Sequence, residues 1–251
     1  MFLYLYYKMT SHSVNNCLIL NLDSRSDLWE KTSTFREKWK KQNKTVERIS
    51  GVSYKNQTNV LVQFINNNRI NLNGMGFRNN KDSFLGELGC FMGHYNCWKY
   101  IVDNKLNNCL ITEDGIELLR EDFENLKITN ALDILFVNEE MKLDGNNKSL
   151  IGYGLQGYIL TKTGAEKLLQ KCYTMFLPID LQIRHLCNNN DLKYSVIKNS
   201  YIKRDHNRMS SIEDKQMNDQ LDLNTKQNSN TIIQRIITNL LIKGVNLDDY
   251  L

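Results

Sequence analysis

Short apolar runs that end in polar residues alternate with amphipathic patterns along most of this chain, and this alternation most constrains its fold. The runs at residues 14–22, 109–112 and 132–137 read VNNCLILNL, CLIT and LDILFV. Short apolar runs between polar residues are typical of buried strands. Residues 85–102 instead repeat their apolar positions near the helical period. Strands alternating with helices predict an α/β protein with a mostly parallel central sheet flanked by helices.

The remaining segments are predicted less sharply. Residues 53–82 are polar and rich in Asn, which favours a long surface loop around a weak strand. Residues 201–230 resemble a polar tail, and residues 231–243 (TIIQRIITNLLIK) predict an amphipathic helix that packs on the domain or forms a homodimer contact. Further strands are predicted at residues 45–49, 152–160 and 194–197, and further helices at 27–41, 163–173 and 179–187.

Charge, cysteine content and the N-terminal sequence exclude several classes of protein. The net charge of +4 comes from 32 basic and 28 acidic residues spread along the chain, so no concentrated basic face indicates nucleic-acid binding. The opening MFLYLYYKM is shorter than the roughly 20 apolar residues of a spanning helix, and it lacks the pattern of a signal peptide. We therefore expect no membrane span and a cytoplasmic location. The six cysteines form no CxxC pair, which favours reduced, buried thiols.

The sharpest candidate for chemistry is the junction of the strand at residues 109–112 with Glu113 and Asp114. In open α/β sheets, ligands bind beyond the carboxyl ends of the strands. Adjacent acids there can hold a divalent metal that bridges a diphosphate, although acids also end strands simply because they are solvated. In the helix predicted at residues 85–102, Gly86 and Gly89 indicate that another segment of the chain approaches the helix backbone closely. His94 could be catalytic or structural.

The motifs together resemble those of family 25 glycosyltransferases, which include lipooligosaccharide galactosyltransferases and collagen hydroxylysine galactosyltransferases. The resemblance spans roughly residues 15–212, and it depends on the order and spacing of the blocks. These are NLDSR (21–25), RISGV (48–52), GELGC (86–90) with His94 and Trp98, LITED (110–114), GYILT (157–161) with Gly164, Ala165 and Leu168, and PID (178–180).

The resemblance implies a glycosyltransferase-A-like catalytic domain at residues 1–212, followed by a polar linker and amphipathic helix at 213–251. It also implies inverting transfer of a hexose, galactose or glucose, from a UDP-sugar to a glycan or protein-linked acceptor. The expected location is the cytoplasm, which for a viral source means the host cytoplasm or the virion.

Site residues follow from the resemblance. The donor-binding set is Asn21, Leu22, Arg25, Gly51, Glu87 and His94. Inversion needs a base that takes the acceptor's proton, and a carboxylate is the usual one. Asp180, in the PID block, is the first candidate, with Glu139 and then Glu140 in reserve. Other roles stay open from the residues alone. Arg25 could pair with Asp27 at the surface, Glu87 could be a first-turn helix acid, and Asp180 could cap a helix.

The sequence departs from the family at the metal position. The resemblance implies Mn²⁺ bound through Glu113 and Asp114, but Gly115 replaces the third acid of the family pattern. Glu117, Asp205 or His206 could complete the shell. Gly93 also replaces a Ser that usually precedes the His. These changes permit a rearranged metal site, a metal-independent enzyme, or a catalytically degenerate sugar-nucleotide binding or assembly module.

Overall fold

The computed structural model describes residues 11–53, 58–68, 81–175 and 177–205 of the 251-residue chain. The strands are β1 (Ser11–Ser13), β2 (Asn16–Leu22), β3 (Thr45–Gly51), β4 (Asn108–Glu113), β5 (Ile116–Leu118), β6 (Lys127–Thr129), β7 (Ile134–Phe136), β8 (Lys142–Leu143), β9 (Leu150–Ile151), β10 (Gly157–Thr161), β11 (Tyr194–Val196) and β12 (Ile202–Arg204). The helices are α1 (Ser26–Lys31), α2 (Ser33–Lys41), α3 (Thr58–Asn68), α4 (Lys81–Asp103), α5 (Lys162–Lys171) and α6 (Ile179–Asn188).

A six-stranded sheet in the order β11-β7-β10-β4-β2-β3 forms the centre of the described chain. The pairs β11/β7, β4/β2 and β2/β3 are parallel, whereas β10 is antiparallel to both of its neighbours. All strands except β10 therefore run in one direction, and their carboxyl ends meet at one edge of the sheet. The predicted α/β class, with a mostly parallel central sheet, is confirmed.

Helices cover both faces of this sheet because side chains alternate along each strand. On β2, Leu18 packs in a cluster with α4 residues such as Trp98, whereas Ile19 packs in a second cluster with Phe35 and Trp39 of α2. Strand β4 repeats the alternation, with Ile111 in the first cluster and Leu110 in the second. The central strands are thus buried on both faces, as their almost continuous apolar sequences predict.

The prediction of a surface loop at residues 53–82 is wrong over α3. Phe64 and Ile65 of this helix are buried, and the Phe64 ring meets Tyr95 of α4 edge-on at a centroid distance of 5.1 Å. The Asn residues of the segment favour turns, but burial of an aromatic side chain against α4 outweighs that weak preference.

Three further elements differ from the predictions. The helix predicted at residues 27–41 is interrupted at Thr32, whose hydroxyl donates to the Trp29 carbonyl at 2.7 Å. The segment from residue 201, predicted as polar tail, contains β12, which pairs with β5. Small two-stranded sheets β1/β6, β5/β12 and β8/β9 lie outside the central sheet. The N-terminal nonapeptide, His206 and the helix predicted at 231–243 lie outside the described residues.

The structure also bears on membrane-spanning helices and on the state of the cysteines. Within the described ranges, no helix is long and apolar enough to cross a membrane. All six cysteines are free thiols, and five are buried while Cys90 is partly exposed.

Candidate active site at the carboxyl edge of the sheet

Polar residues from three neighbouring parallel strands meet at the carboxyl edge. Asn21 ends β2, Arg48 and Ser50 lie at the end of β3, and Glu113 and Asp114 end β4. The order β4-β2-β3 places these ends side by side. This is the edge where open α/β sheets bind their ligands.

Asn21 is the centre of a buried hydrogen-bond network at this edge. Its Nδ2 donates to Oδ2 of Asp114 at 2.7 Å and to the carbonyl of Arg25 at 2.9 Å. Its Oδ1 accepts from Nε of Arg48 at 2.9 Å. Asn21 and Asp114 are both buried. The network therefore fixes the ends of β2, β3 and β4 relative to one another.

The two arginines of this region are held by carboxylates. Arg25 makes a two-bond pair with Asp27, with both N···O distances 3.0 Å. This pair raises the pKa of Arg25 and lowers the pKa of Asp27. Arg48 lies 3.2 Å from Oδ1 of Asp23, and its guanidinium stacks over the Trp29 ring at 5.2 Å. Both cations lie beside the strand ends, where they could attract an anionic ligand.

The predicted donor residues Leu22 and Gly51 are directly opposite each other in the β2/β3 register. A Cβ atom on Gly51 would lie 3.0 Å from the Leu22 side chain. The close approach of Leu22 to this position accounts for a small residue at position 51.

His94 of α4 joins the helix to the sheet beneath it. It is fully buried; its Nδ1 lies 3.0 Å from the Tyr158 hydroxyl and its Nε2 lies 3.6 Å from Oε1 of Glu113. The indole Nε1 of Trp98 also donates to the Tyr158 hydroxyl, at 2.9 Å. Burial raises the pKa of the Tyr158 phenol well above its usual value, so this hydroxyl stays protonated.

Cys90 lies one helical turn before His94, in a strongly acidic environment. Burial raises the pKa of the Cys90 thiol well above its usual value, and the negative charges of Glu113, Asp180 and Glu87 raise it further. Glu87 is itself buried. The fold thus brings two of the predicted site residues, His94 and Glu113, to this thiol, with their candidate ligand atoms within 4.8 Å of one another.

Asp180 lies in the first turn of α6 and binds the loop before β10. Its Oδ2 accepts from the amide of Gly154 at 2.8 Å, and its Oδ1 accepts from the amide of Leu181 at 2.9 Å. Gly154 has φ +89°, a conformation that favours glycine. Pro178 occupies the N-cap of α6, so the alternative of Asp180 as the cap is wrong.

Glu139 and Glu140 follow β7 at the same edge but in another part of it. Glu140 accepts from the amide of Arg204 at 2.8 Å and from Asn138 Nδ2 at 3.3 Å. Glu139 is exposed and lines an open groove of about 610 Å³. The pKa of Lys203 is raised mainly by its hydrogen bond to Glu117, and the negative charge of Glu139 raises it further.

The residues proposed to complete a metal shell divide into two groups. The amide of Asp205 donates to the Gly115 carbonyl at 3.2 Å, so residue 205 lies beside the position of the missing acid. Glu117 instead pairs with Lys203 at 2.7 Å. His206 lies outside the described residues. Asp205 is therefore the candidate that the described structure brings to Gly115.

Sequence reasoning did not single out Arg48, Cys90 and Tyr158 as members of the site. All three lie inside blocks that resemble the family, RISGV, GELGC and GYILT, and that was the available signal. Tyr158 lies 64 positions from His94, so their contact depends on the sheet order.

The fold and the edge cluster together define an α/β protein with a candidate ligand site at the carboxyl ends of its strands. A sequence profile described as "Glycosyltransferase family 25 (LPS biosynthesis protein)" matches residues 14–150. That segment is more than half of the chain and contains β2 to β4, α4 and both acids of the edge. The chain belongs to glycosyltransferase family 25, and its mixed sheet fits the glycosyltransferase-A-like class predicted from the sequence.

Individual proteins with similar sequences carry related names. The chain is 30% identical over 117 residues to procollagen galactosyltransferase 1 of Danio rerio, covering 38% of this chain and 19% of that protein. It is 28% identical over 115 residues to procollagen galactosyltransferase 2 of Homo sapiens, covering 38% and 18%. It is 29% identical over 116 residues to a glycosyltransferase 25 family member of Anopheles gambiae, covering 38% and 19%. The matched region thus spans about a fifth of the length of these relatives.

A solved structure with a similar arrangement is a Drosophila β-1,4-galactosyltransferase 7 mutant in complex with manganese, UDP-Gal and xylobiose. The alignment covers 83% of each chain at 10% sequence identity, with a TM-score of 0.41.

Proposed function

We propose that this chain is a glycosyltransferase that moves a hexose, galactose or glucose, from a UDP-sugar to a glycan or protein-linked acceptor with inversion at the anomeric carbon. Family membership and the galactosyltransferase names of its relatives support the class of reaction. The observation that carries the proposal is the convergence of Asn21, Asp114, His94 and Glu113 from separate elements at one sheet edge.

In this proposal the donor lies across the ends of β2, β3 and β4. The Asn21 network holds the backbone of residues 21–25 in place, so that this turn forms a fixed wall for the nucleotide. Arg25 and Arg48 provide positive charge beside the strand ends, which favours a diphosphate. Rigid placement of such groups lowers the entropic cost of orienting the donor.

Asp180 is the proposed catalytic base. It is partly buried, it lies at the N-terminal end of α6, and its negative charge acts on the Cys90 thiol. Its hydrogen bonds from Gly154 and Leu181 fix its orientation, and carboxylate oxygens retain further lone pairs for an acceptor hydroxyl. Glu139 is the reserve, but it is exposed and lies near Lys203.

The side chains at residues 113–115 do not fit Mn²⁺ well. Mn²⁺ favours carboxylate, carbonyl and water oxygens. Gly115 offers no side-chain ligand, and one oxygen of Asp114 accepts from Asn21. The steps proposed here therefore use only the side chains of this chain, and a requirement for Mn²⁺ stays a prediction for the assay.

The alternative function is a catalytically degenerate module that binds a sugar nucleotide, and Gly115 is the observation that favours it. A thermal-shift screen of UDP, UDP-galactose, UDP-glucose and UDP-N-acetylglucosamine, each with and without Mn²⁺, identifies the donor. A ligand at about 100 times its Kd adds roughly 2.7 kcal/mol, which shifts the Tm by several degrees. Both functions predict a shift, and only the enzyme also predicts release of UDP with sugar transfer.

The Asp180→Asn variant tests the catalytic role directly. Asn retains an oxygen for the Gly154 amide but is a poor base, so we expect kcat to fall about 10²–10⁴-fold with the donor-induced Tm shift unchanged. Asp191→Asn is the matched control, because Asp191 pairs with Lys171 at the opposite end of α6. Equal kcat values for the two variants would remove Asp180 from the mechanism.

A further inference from the structure

Three side chains at the α4–β4 junction form a cluster, and one of them, the Cys90 thiol, has no role in the proposed donor and acceptor chemistry. The candidate ligand atoms of Cys90, His94 and Glu113 all lie within 4.8 Å of one another. Cys90 and His94 are one helical turn apart on α4, so they project from the same face of the helix. Glu113 reaches the same point from the end of β4.

One atom of the cluster is buried in a way that points to a ligand. His94 is fully buried, and within the described part of the chain its Nε2 has no hydrogen-bond partner. The neighbouring oxygen is Oε1 of Glu113 at 3.6 Å, beyond the usual hydrogen-bond distance. A buried polar atom without a partner is destabilising, because the loss of its hydration is not offset by a hydrogen bond. A cation between Nε2 and Oε1 would remove this cost.

The other ring nitrogen of His94, Nδ1, has a hydrogen-bond partner, as the non-ligating nitrogen of a metal-binding histidine usually does. Its neighbour, the Tyr158 hydroxyl at 3.0 Å from Nδ1, is itself positioned by a hydrogen bond from Trp98. A hydroxyl oxygen has two acceptor lone pairs, so it can accept from both Trp98 Nε1 and His94 Nδ1. That arrangement leaves the Nε2 lone pair directed at the cluster, and it fixes the ring orientation.

We propose that Cys90, His94 and Glu113 bind a borderline-soft divalent cation, with Zn²⁺ preferred, through Sγ, Nε2 and a carboxylate oxygen. Three protein ligands with a fourth position for water or substrate are typical of non-structural Zn²⁺ sites. Zinc bonds of 2.0–2.3 Å imply tetrahedral ligand separations of about 3.3–3.8 Å. The 3.6 Å between Nε2 and Oε1 lies within that range, and the Sγ contacts need a contraction of about 1 Å at most.

The negative charge of the site favours binding of a cation, and the types of donor atom determine which metal ion is preferred. Glu87 and Asp180 add negative potential around Cys90, and the bound thiolate and carboxylate together balance two positive charges. Thiolate and imidazole ligands favour Zn²⁺, whereas Mn²⁺ and Mg²⁺ favour oxygen ligands. The Glu113 side chain is 30% exposed, so the cluster can be reached from solvent through this residue. The proposal does not depend on which sugar the protein transfers.

Metal binding by the full-length chain tests this proposal without an activity assay. The chain is stripped with a chelator, dialysed against Zn²⁺ or Mn²⁺, and its bound metal is counted by mass spectrometry. Co²⁺ is then used as a spectroscopic probe, because bound thiolate gives a charge-transfer absorption that oxygen and nitrogen ligands do not. We expect one Zn²⁺ per chain, little Mn²⁺ at equal concentration, and the thiolate band with Co²⁺.

Variants assign the site to these residues. Cys90→Ala should abolish the Co²⁺ band and weaken Zn²⁺ binding at least tenfold. Cys97→Ala, which removes another thiol of α4, should leave both unchanged. If Cys90→Ala does not fold, Glu113→Gln tests the site instead, because it changes a partly exposed carboxyl. This variant should bind Zn²⁺ more weakly, and its thiolate band should persist at higher Co²⁺ concentration. Absence of Zn²⁺ uptake by the wild type, or uptake unchanged in these site variants, would overturn the proposal.

Discussion

The side-chain amide of Asn21 donates to Oδ2 of Asp114 at 2.7 Å, across 93 positions of sequence, and both residues are buried. The same amide group accepts from Arg48 through its oxygen. One asparagine thereby satisfies a carboxylate and a guanidinium at the ends of three strands. It explains why Asp114 is held inside the edge while Glu113 remains partly exposed.

We expect Asn21→Ala to destabilise the fold. The substitution leaves the buried Asp114 carboxylate without this partner and removes a bond from Arg48, so the free energy of unfolding should fall by about 1–3 kcal/mol. Urea unfolding measures the change. Asn16→Ala, at the partly exposed start of the same strand, removes a bond from Thr45 and should change stability by no more than about 0.5 kcal/mol. Equal losses in both variants would contradict the role of Asn21.

Gly89→Ala should also destabilise the fold, although Ala has the higher helix propensity of the two residues. Ala in a helix is favoured over Gly by about 1 kcal/mol, but a Cβ here would lie 2.8 Å from the backbone oxygen of Val52. Backbone atoms yield poorly, so we expect a net loss of about 1–3 kcal/mol in urea unfolding. The close backbone approach predicted for this helix is thus confirmed at Gly89.

Gly145→Ala provides the control for that substitution. A Cβ at this position meets no atom within 4 Å, so the variant should unfold like the wild type. A Gly89→Ala protein as stable as the wild type would mean that α4 can shift away from Val52 at little cost.

Stability should decrease as the pH rises above about 8.5, because burial raises the pKa of Cys172 and of Cys187 to about 12. Unfolded thiols titrate near pH 8.5, whereas the folded ones keep their protons. Between about pH 8.5 and 12 the folded state therefore binds more protons, and the free energy of unfolding falls. Urea unfolding at pH 7.5 and 9.5 measures this slope.

Alkylation supplies the matching control on the same two thiols. At pH 8 the native Cys172 and Cys187 should react with iodoacetamide far more slowly than in urea, because about 10⁻⁴ of each is thiolate. Native rates equal to those in urea would show that these sites open readily.

Gly115→Asp should raise the affinity for Mn²⁺ at least tenfold. The new carboxylate would lie beside Asp205, whose amide already bonds to the carbonyl of residue 115, and next to the Glu113 strand end. Isothermal titration with Mn²⁺ measures the change. Gly115→Asn supplies a similar volume without the charge and should bind Mn²⁺ much as the wild type does. No difference between the two variants would place the Mn²⁺ position elsewhere.

The central strands and the long helix α4 were predictable because their apolar patterns are local. Residues 14–22, 109–112 and 132–137 include the buried strands β2, β4 and β7, and residues 85–102 lie within α4. The LITED block covers the end of β4, so the position of Glu113 and Asp114 at the carboxyl edge followed from the sequence. Helix α3 was missed because its Asn content is a local signal, whereas the burial of Phe64 against Tyr95 is not.

What the amino-acid sequence alone determined is therefore the α/β class, the main elements and the edge at which polar residues gather. The tertiary structure decided that β10 runs antiparallel between β4 and β7, which brings Tyr158 beneath His94. It also decided that Asn21 joins Asp114 to Arg48, and that Cys90 and His94 meet Glu113. The physical reason is that periodicity encodes which face of an element is buried, whereas contacts between distant residues depend on the order and direction of the strands.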